Sequence, residues 1–529
     1  MERHGIFAAG IFIIVTLLLS PLPGANGQLW REFTHPGNPH ESLTIPQLSQ
    51  ATTDVTVNRP VLVVLMEFSD TTAQAVHNAA FWRDLIFGPS PVTGPNVAQT
   101  FGESSNGRYA LVAATAGDVL DGTADGVVGW VKSAQSFSQL TEPAQKRAEA
   151  IRVADPLFNY HVYDNNNDGL ITADELIVFP VFGDQSGNNC CDEHPGHPVI
   201  PGCIGCAGGN ARTTDPAQVV VEAGTAQEKK VQQLVAAVGE MAHVGTAAHE
   251  MAHSAAGHGD LYIQGCTTVS DGYMCTDGWY PPAPGHYSLM DDYRNLYVTH
   301  IEPWGKIHLG FVKPLIATHD GTYTLYDAET DRQFSVQDTQ PEALIIYDPL
   351  RDNPYREYFI LENRNLAGLP DRGLGVWQIN EQSSTWPGGL NWRRVNRLIR
   401  RGDYFTDASA FWDGVDDTQG YDLTATSTPR NTNWSDGSPS YIEIYDISPA
   451  GPVITFKVHM PPIFVDQANA GYETGSRDNP FHVINAALDA ISEPPRTLKI
   501  AGGTYPETMT INTPCTLTGW RNGNAVIGQ

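Results

Sequence analysis

Residues 246–262 read TAAHEMAHSAAGHGDLY and gather three histidines, a glutamate and an aspartate among small side chains. His249 and His253 are four apart, so on an α-helix both imidazoles leave one face about a turn from each other. That spacing lets two ring nitrogens reach one zinc ion at about 2 Å each. Glu250, beside the first histidine, then points toward an open fourth position. A carboxylate there can take a proton from water and hand it to a leaving amine. Gly257 permits a sharp exit from the helix, and the returning chain offers His258 or Asp260 as third ligand. The bland alternative is a polar helix face with satisfied histidines. A near-copy ten residues earlier, GEMAH at 239–243, has Gly239 where the first histidine would stand.

A second cluster follows another rule. DNNNDGLITADE, residues 164–175, matches the twelve-residue calcium loop of EF-hands. Asp164, Asn166 and Asp168 fall at positions 1, 3 and 5, and Gly169 gives the turn at 6. The Leu170 carbonyl serves at 7, Thr172 falls at 9 and Glu175 supplies the bidentate carboxylate at 12. Lying ahead of a strand rather than between long helices, it predicts a structural Ca2+ that braces a loop; the alternative is a solvated Asx-rich turn.

Seven cysteines are present, six of them between 190 and 275 (Cys190, Cys191, Cys203, Cys206, Cys266, Cys275), with Cys515 apart. In an exported chain these read as disulfides whose pairing the spacing leaves open. Cys190, Cys191, Cys203 and Cys206 with His194 and His197 also form a possible second zinc site. NWRRVNRLIRRGDYF, 391–405, concentrates five arginines in a chain of net charge −28. They read as partners of local carboxylates such as Asp403, or as a docking point for an anionic partner. The overall charge excludes affinity of the whole molecule for nucleic acid or anionic membrane.

These residues need elements to hold them. Residues 1–27 carry a charged start, an apolar run and a small-residue exit, which read as a secretory signal peptide, and 28–58 as a loop or short pro-region. No later run is apolar enough to span a membrane, so a secreted, extracellular, monomeric protein is expected. VLVVLMEFSD (61–70) predicts a strand buried on both faces, with helix around 74–87, a strand within 106–119 and helix over 139–160. The Ala-, Val-, Gln- and Glu-rich segment 216–257 predicts helix opened by Asp215-Pro216. From 318 short β-like runs follow: GTYTLYDA, ALIIYDP, EYFILENR, LGVWQIN and IEIYDISPAGPVITFKVHM. The expected division is 59–315 for the catalytic domain with its calcium loop, 316–460 for a β-rich domain and 461–529 for a third region.

HEMAHSAAGHGDLY followed by YSLM (287–290) resembles the immune inhibitor A family of secreted bacterial zinc metallopeptidases. VLVVLMEFSD, ESSNGRYALV (103–112), EYFILENR and GLGVWQIN match that family's order, so the resemblance covers about 60–460. It implies an α+β architecture: a metzincin-like zinc peptidase domain followed by a β-sandwich-like domain. It also implies His249 and His253 as zinc ligands, Glu250 as base and Met290 as the methionine turn beneath the metal. The Asp-Leu-Tyr continuation favours Asp260 as third ligand, although its spacing from His253 is one residue longer than usual. Gln378-Ile379-Asn380 stands where the family tends to have His-x-Asp. Tyr262 and Tyr293 are alternative oxyanion donors. The last 65 or so residues resemble the first coils of a pectin-lyase-type parallel β-helix, with an entry helix at 480–491; about two coils are present where a stacked core needs about three. The expected activity is hydrolysis of peptide bonds in extracellular proteins, with protein or peptide substrates. A binding protein for carbohydrate or cell surface, with a degenerate peptidase domain, is the rival.

Overall fold

A computed structural model describes residues 56–88, 96–115, 124–183, 219–263, 266–270, 272–276, 278–291, 299–328, 340–351, 354–366, 369–381, 396–402, 407–414, 423–424, 426–427 and 431–528. Outside them lie the signal-like segment, most of 28–58, Cys190, Cys191, Cys203 and Cys206 with His194 and His197, Tyr293 and Asp403. The chain mixes helix and sheet throughout.

The first half begins with β1 (Val57–Glu67), α1 (Ala79–Ile86), α2 (Val97–Ser104), β2 (Tyr109–Ala113), β3 (Val127–Lys132) and α3 (Pro143–Ala154). β4 (Leu170–Ile171) and β5 (Ile177–Gly183) follow, then β6 (Val219–Val221), β7 (Lys229–Val231), β8 (Val238–Gly239) and α4 (Val244–Ala256). Strands β2, β1, β5 and β8 form a parallel sheet in that order, and β3 also pairs with β1. Alternation along β1 explains the continuous apolar run. Val61, Val63 and Leu65 face a core shared with α1, α2 and α4, whereas Leu62, Val64 and Met66 face a second core shared with α3. Both faces of the sheet are therefore covered, as parallel strands require.

The helix expected over 216–257 is corrected. Among its described residues only Val244–Ala256 is helical, and the rest builds β6, β7 and β8. Ala, Gln and Glu favour helix, and Val231, Leu234, Val235 and Val238 even keep a helical spacing. β7 pairs with β4 and β6, and β8 with β5. Tertiary pairing overrides propensity here.

A disulfide-linked three-stranded ribbon follows: β9 (Thr267–Val269), β10 (Gly272–Cys275) and β11 (Gly278–Tyr280), with Cys266 bonded to Cys275. After α5 (Pro303–His308) come β12 (Leu315–Ile316), β13 (Gly321–Tyr326), β14 (Ala343–Ile346), β15 (Glu357–Arg364), β16 (Gly373–Asn380), β17 (Asn396–Leu398), β18 (Glu443–Tyr445) and β19 (Val453–His459). They form two sheets, β12-β14-β15-β16-β17 and β13-β19-β18. Phe359 and Leu361 of β15 pack with Phe456 and Val458 of β19 between the sheets. The alternate residues Tyr358 and Ile360 enter the same core as α4. The segment after 315 thus completes the core that holds the site helix.

β20 (Ile463–Val465), α6 (Ile484–Asp489), β21 (Arg496–Tyr505) and β22 (Cys515–Ile527) end the described chain. The three strands are parallel neighbours in sequence order over a small core of their own. Cys515 is an unpaired, half-buried thiol.

Candidate metal centre

Helix α4 is buried on all sides from Gly245 to Ala256. Alanines at 247, 248, 252, 255 and 256 keep its girth small enough to lie among other elements. His243 caps its start by accepting from the Thr246 N–H. Gly257 ends it at φ +61°, a left-handed conformation that favours glycine. The Ala255 carbonyl, otherwise orphaned at the helix end, accepts from the Tyr109 hydroxyl at 2.9 Å. Tyr109 comes from the NGRYALV stretch, and burial holds its pKa far above the ordinary value.

His249, Glu250 and His253 are buried together, with ligand atoms within 4.8 Å of one another. His249 Nε2 and His253 Nε2 are 3.2 Å apart, and Asp260 Oδ1 lies 3.2 and 3.0 Å from them. Both Nδ1 atoms face carbonyl oxygens, Leu289 O at 2.9 Å and His258 O at 2.6 Å. A carbonyl can only accept, so each Nδ1 carries a proton and each Nε2 turns toward the other with Asp260 between. Such a convergence of lone pairs is held together by a cation or by a shared proton. Without a metal the proton serves: burial alone would discharge His253, but Asp260 outweighs it and raises His253 to about 9. Asp260 is in turn held well below the usual carboxylate range, the two histidines overcoming its burial.

The donor set also fits a metal. Bonds of 2.0–2.1 Å at tetrahedral angles set ligand atoms about 3.3 Å apart, close to the three separations here. The histidine side chains are 2 and 5 % exposed while Asp260 is 25 % exposed, so the cluster opens to solvent on the aspartate side. Glu250 Oε2 is fully buried with no hydrogen-bond partner. Burial raises the Glu250 pKa against the pull of His253 and His249.

His258, the competing third ligand, is engaged elsewhere. Its Nδ1 faces Gly259 O at 2.8 Å and its Nε2 faces Glu302 Oε1 at 3.2 Å. Met290 is fully buried in the core of α4, and its carbonyl accepts from the Leu261 N–H at 2.8 Å. The Tyr262 ring lies 6.1 Å from that of His249. In the GEMAH near-copy, Glu240 is buried and accepts from the Gln74 N–H at 2.8 Å, while His243 caps α4. That copy builds the helix entrance.

The loop 164–175 has the shape of its motif. Asn167 and Gly169 take φ +57° and +83°. Asp164 accepts from the Asp168 and Gly169 N–H groups, and Asn166 and Asp168 accept from the N–H groups two residues on. Glu175 accepts from the Asn165 and Thr172 N–H groups and the Thr172 hydroxyl. The Gly169 and Ile171 carbonyls pair with β7, which turns the Leu170 carbonyl to the opposite side. Lys229 Nζ, however, sits 2.6 Å from Asp164 Oδ2, so part of the loop's negative charge is already met. Burial would raise the Asp164 pKa, but Lys229 and the two N–H groups hold it below the usual range.

The described arginines of 391–405 are tied into the fold. Arg397 reaches Gln378 Oε1, Arg400 donates to the Ala283 and Pro284 carbonyls, and Arg401 pairs with Asp413 at 2.9 Å. Gln378 in turn donates to Glu357, and Asn380 to Ser435. Among the described residues, sequence reasoning missed Glu302, Ser288 and Leu289, whose roles depend on contacts some 40 residues from the motif. The sequence marks this region only by Glu302-Pro303, a cap followed by a first-turn proline.

No helix among the described residues is long and apolar enough to cross a membrane. No protein-family model matches the sequence, and no curated protein matches it.

Proposed function

We propose that the protein is a secreted zinc endopeptidase of the metzincin-like kind, with His249, His253 and Asp260 holding the metal and Glu250 as the base. The observation that carries the reading is Glu250 Oε2, a buried carboxylate oxygen without a partner, set beside two histidine nitrogens and a carboxylate that converge from one side. An unpaired buried polar group costs about 1–3 kcal/mol, and of the buried unpartnered atoms among the described residues this one belongs to the group that could hold a metal. Zinc, when bound, supplies the Lewis acidity that polarises a scissile carbonyl and acidifies water. The chain does the rest. The Leu289 and His258 carbonyls fix both imidazoles in the tautomer that leaves Nε2 free. The exposed side of Asp260 admits a substrate. Glu250 takes a proton from the attacking water at Oε2 and returns it to the leaving amine nitrogen, and its raised pKa suits both transfers.

Loop 164–175 we assign to a structural Ca2+, held by Asp164, Asn166, Asp168, the Leu170 carbonyl, Thr172 and Glu175. The preformed turn and inward-facing carboxylates support this. Lys229 would have to give way to the ion. Export is supported by residues 1–27 as a sequence, and the Cys266–Cys275 disulfide is compatible with it.

The test is elemental analysis and casein digestion on the purified protein and its Glu250→Ala variant. About one zinc per chain in both, with digestion by the parent alone, is the expected result. Elemental analysis also separates zinc from iron, which two histidines and a carboxylate can bind as well. A parent that holds no metal and digests nothing would overturn the reading in favour of an extracellular binding protein.

A further inference from the structure

The two carbonyls that orient the ligand histidines lie outside the site helix, on segments separated by 30 residues of chain. His258 O receives the His253 Nδ1 proton, and Leu289 O receives that of His249. One carboxylate grips both segments. Glu302 Oε1 meets the His258 ring at Nε2, 3.2 Å away, and Oε2 accepts from the hydroxyl of Ser288, the neighbour of Leu289, at 3.1 Å. The side chains of Glu302 and His258 are both wholly buried.

Glu302 also caps α5, accepting from the Gly305 N–H at 3.0 Å. A cap alone would not explain the rest. Ser, Thr, Asp or Asn caps a helix as well with a smaller side chain, and the cap leaves Oε2 free to reach Ser288. The first turn of α5 is also bare where His258 enters. A Cβ at Gly305 would lie 2.5 Å from His258 Nε2 and 2.8 Å from Glu302 Oε1.

We propose that Glu302 is a positioning residue for the metal centre, setting the orientation of both ligand histidines by clamping the His258 loop and the Ser288–Met290 turn to the same carboxylate. This rests on the zinc reading above. His258 then serves through its carbonyl and its grip on Glu302, not as a ligand.

The experiment uses the full chain and its Glu302→Ala and Glu302→Gln variants. Zinc affinity is measured by competition with a chelating dye, the ligand field by the visible band of the cobalt-substituted protein, and kcat and KM on a peptide. Changes one layer outside a metal site weaken binding about 10–100-fold. Glu302→Ala is expected near the lower end of that range, with a shifted cobalt band, a reduced kcat and a KM close to the parent's. Glu302→Gln, which keeps an acceptor for the Gly305 N–H, should lose less. A merely structural Glu302 would lower the melting temperature of zinc-free and zinc-loaded protein equally while affinity and cobalt band stayed as in the parent; that result overturns the proposal. Should Glu302→Ala fail to fold, Glu302→Gln decides, and a parent-like band and affinity in it overturn the proposal too. A parent that binds no zinc would sink the peptidase reading itself, a different outcome.

Discussion

The histidine cluster on α4 and the acidic loop 164–175 are both dense in charge, yet they are finished in opposite ways. In the loop, Asp164, Asp168 and Glu175 accept from backbone N–H groups within the same dozen residues, Asp174 pairs with Arg59, and a lysine from β7 neutralises Asp164. At the cluster, the partners come from 258, 289 and 302, and one oxygen of Glu250 is left with none. A loop that satisfies itself can only be braced by an ion. On the peptidase reading proposed above, the unspent buried carboxylate of the cluster is the group that acts on a substrate. The contrast separates stability from chemistry, and substitutions in the two regions should divide along that line.

The largest expected effect is on activity. If Asp260 is the solvent-facing ligand, as proposed, Asp260→Ala should lower zinc affinity and peptide hydrolysis by more than the roughly 100-fold upper range of an outer-layer change. The zinc-free protein should melt close to the zinc-free parent. If Asp260→Ala keeps zinc and activity while His258→Ala loses both, the ligand assignment is reversed.

Asp164→Ala should do the opposite. It strands the partly exposed Lys229 ammonium and removes the acceptor of two N–H groups, and the lost pair with its unmet donors costs about 2 kcal/mol. Denaturant unfolding would read that loss, while zinc content and kcat at low temperature should match the parent. An equal loss of kcat would join the two regions, and the contrast would fail.

That contrast also explains what could be read from the sequence. The loop is contiguous, so position within twelve residues fixes each role. The histidine pair is legible for a similar reason: a spacing of four on a helix is local geometry. β1, β15 and β16 were legible as apolar runs, because strands covered on both faces lose their alternation. The orienting carbonyls of His258 and Leu289 carry no side-chain signature, and Glu302 reads only as a helix cap. The helix expected across 216–257 failed where β6, β7 and β8 found partners at β4 and β5. Composition records propensity and says nothing of a partner strand more than 50 residues away.

Calcium removal is a smaller lever. An ion present at ten times its dissociation constant adds about 1.4 kcal/mol to the folded state. Melting in calcium against EGTA, on the Glu250→Ala background to prevent self-digestion, should show that shift. Unchanged melting would mean that Lys229 is the loop's permanent cation. Lys229→Met should then widen the calcium-dependent shift, since no ammonium competes for Asp164.

The smallest effect concerns that ion pair and pH. Asp164 is held below its unfolded pKa of about 3.9. A depressed folded pKa contributes stability that is fully present above the unfolded value and lost as pH falls through the folded one. In calcium-free buffer, the parent should exceed Lys229→Met by about 1 kcal/mol at pH 7, the upper range for a partly exposed pair. The difference should shrink as pH drops below 4, because the protonated carboxyl no longer attracts the ammonium. A gap that persists unchanged to pH 3 would assign Lys229's contribution to its aliphatic stem packing over the loop. The loop would then owe its shape to backbone N–H groups alone, and its carboxylates would be freer to take a divalent ion than the 2.6 Å contact implies.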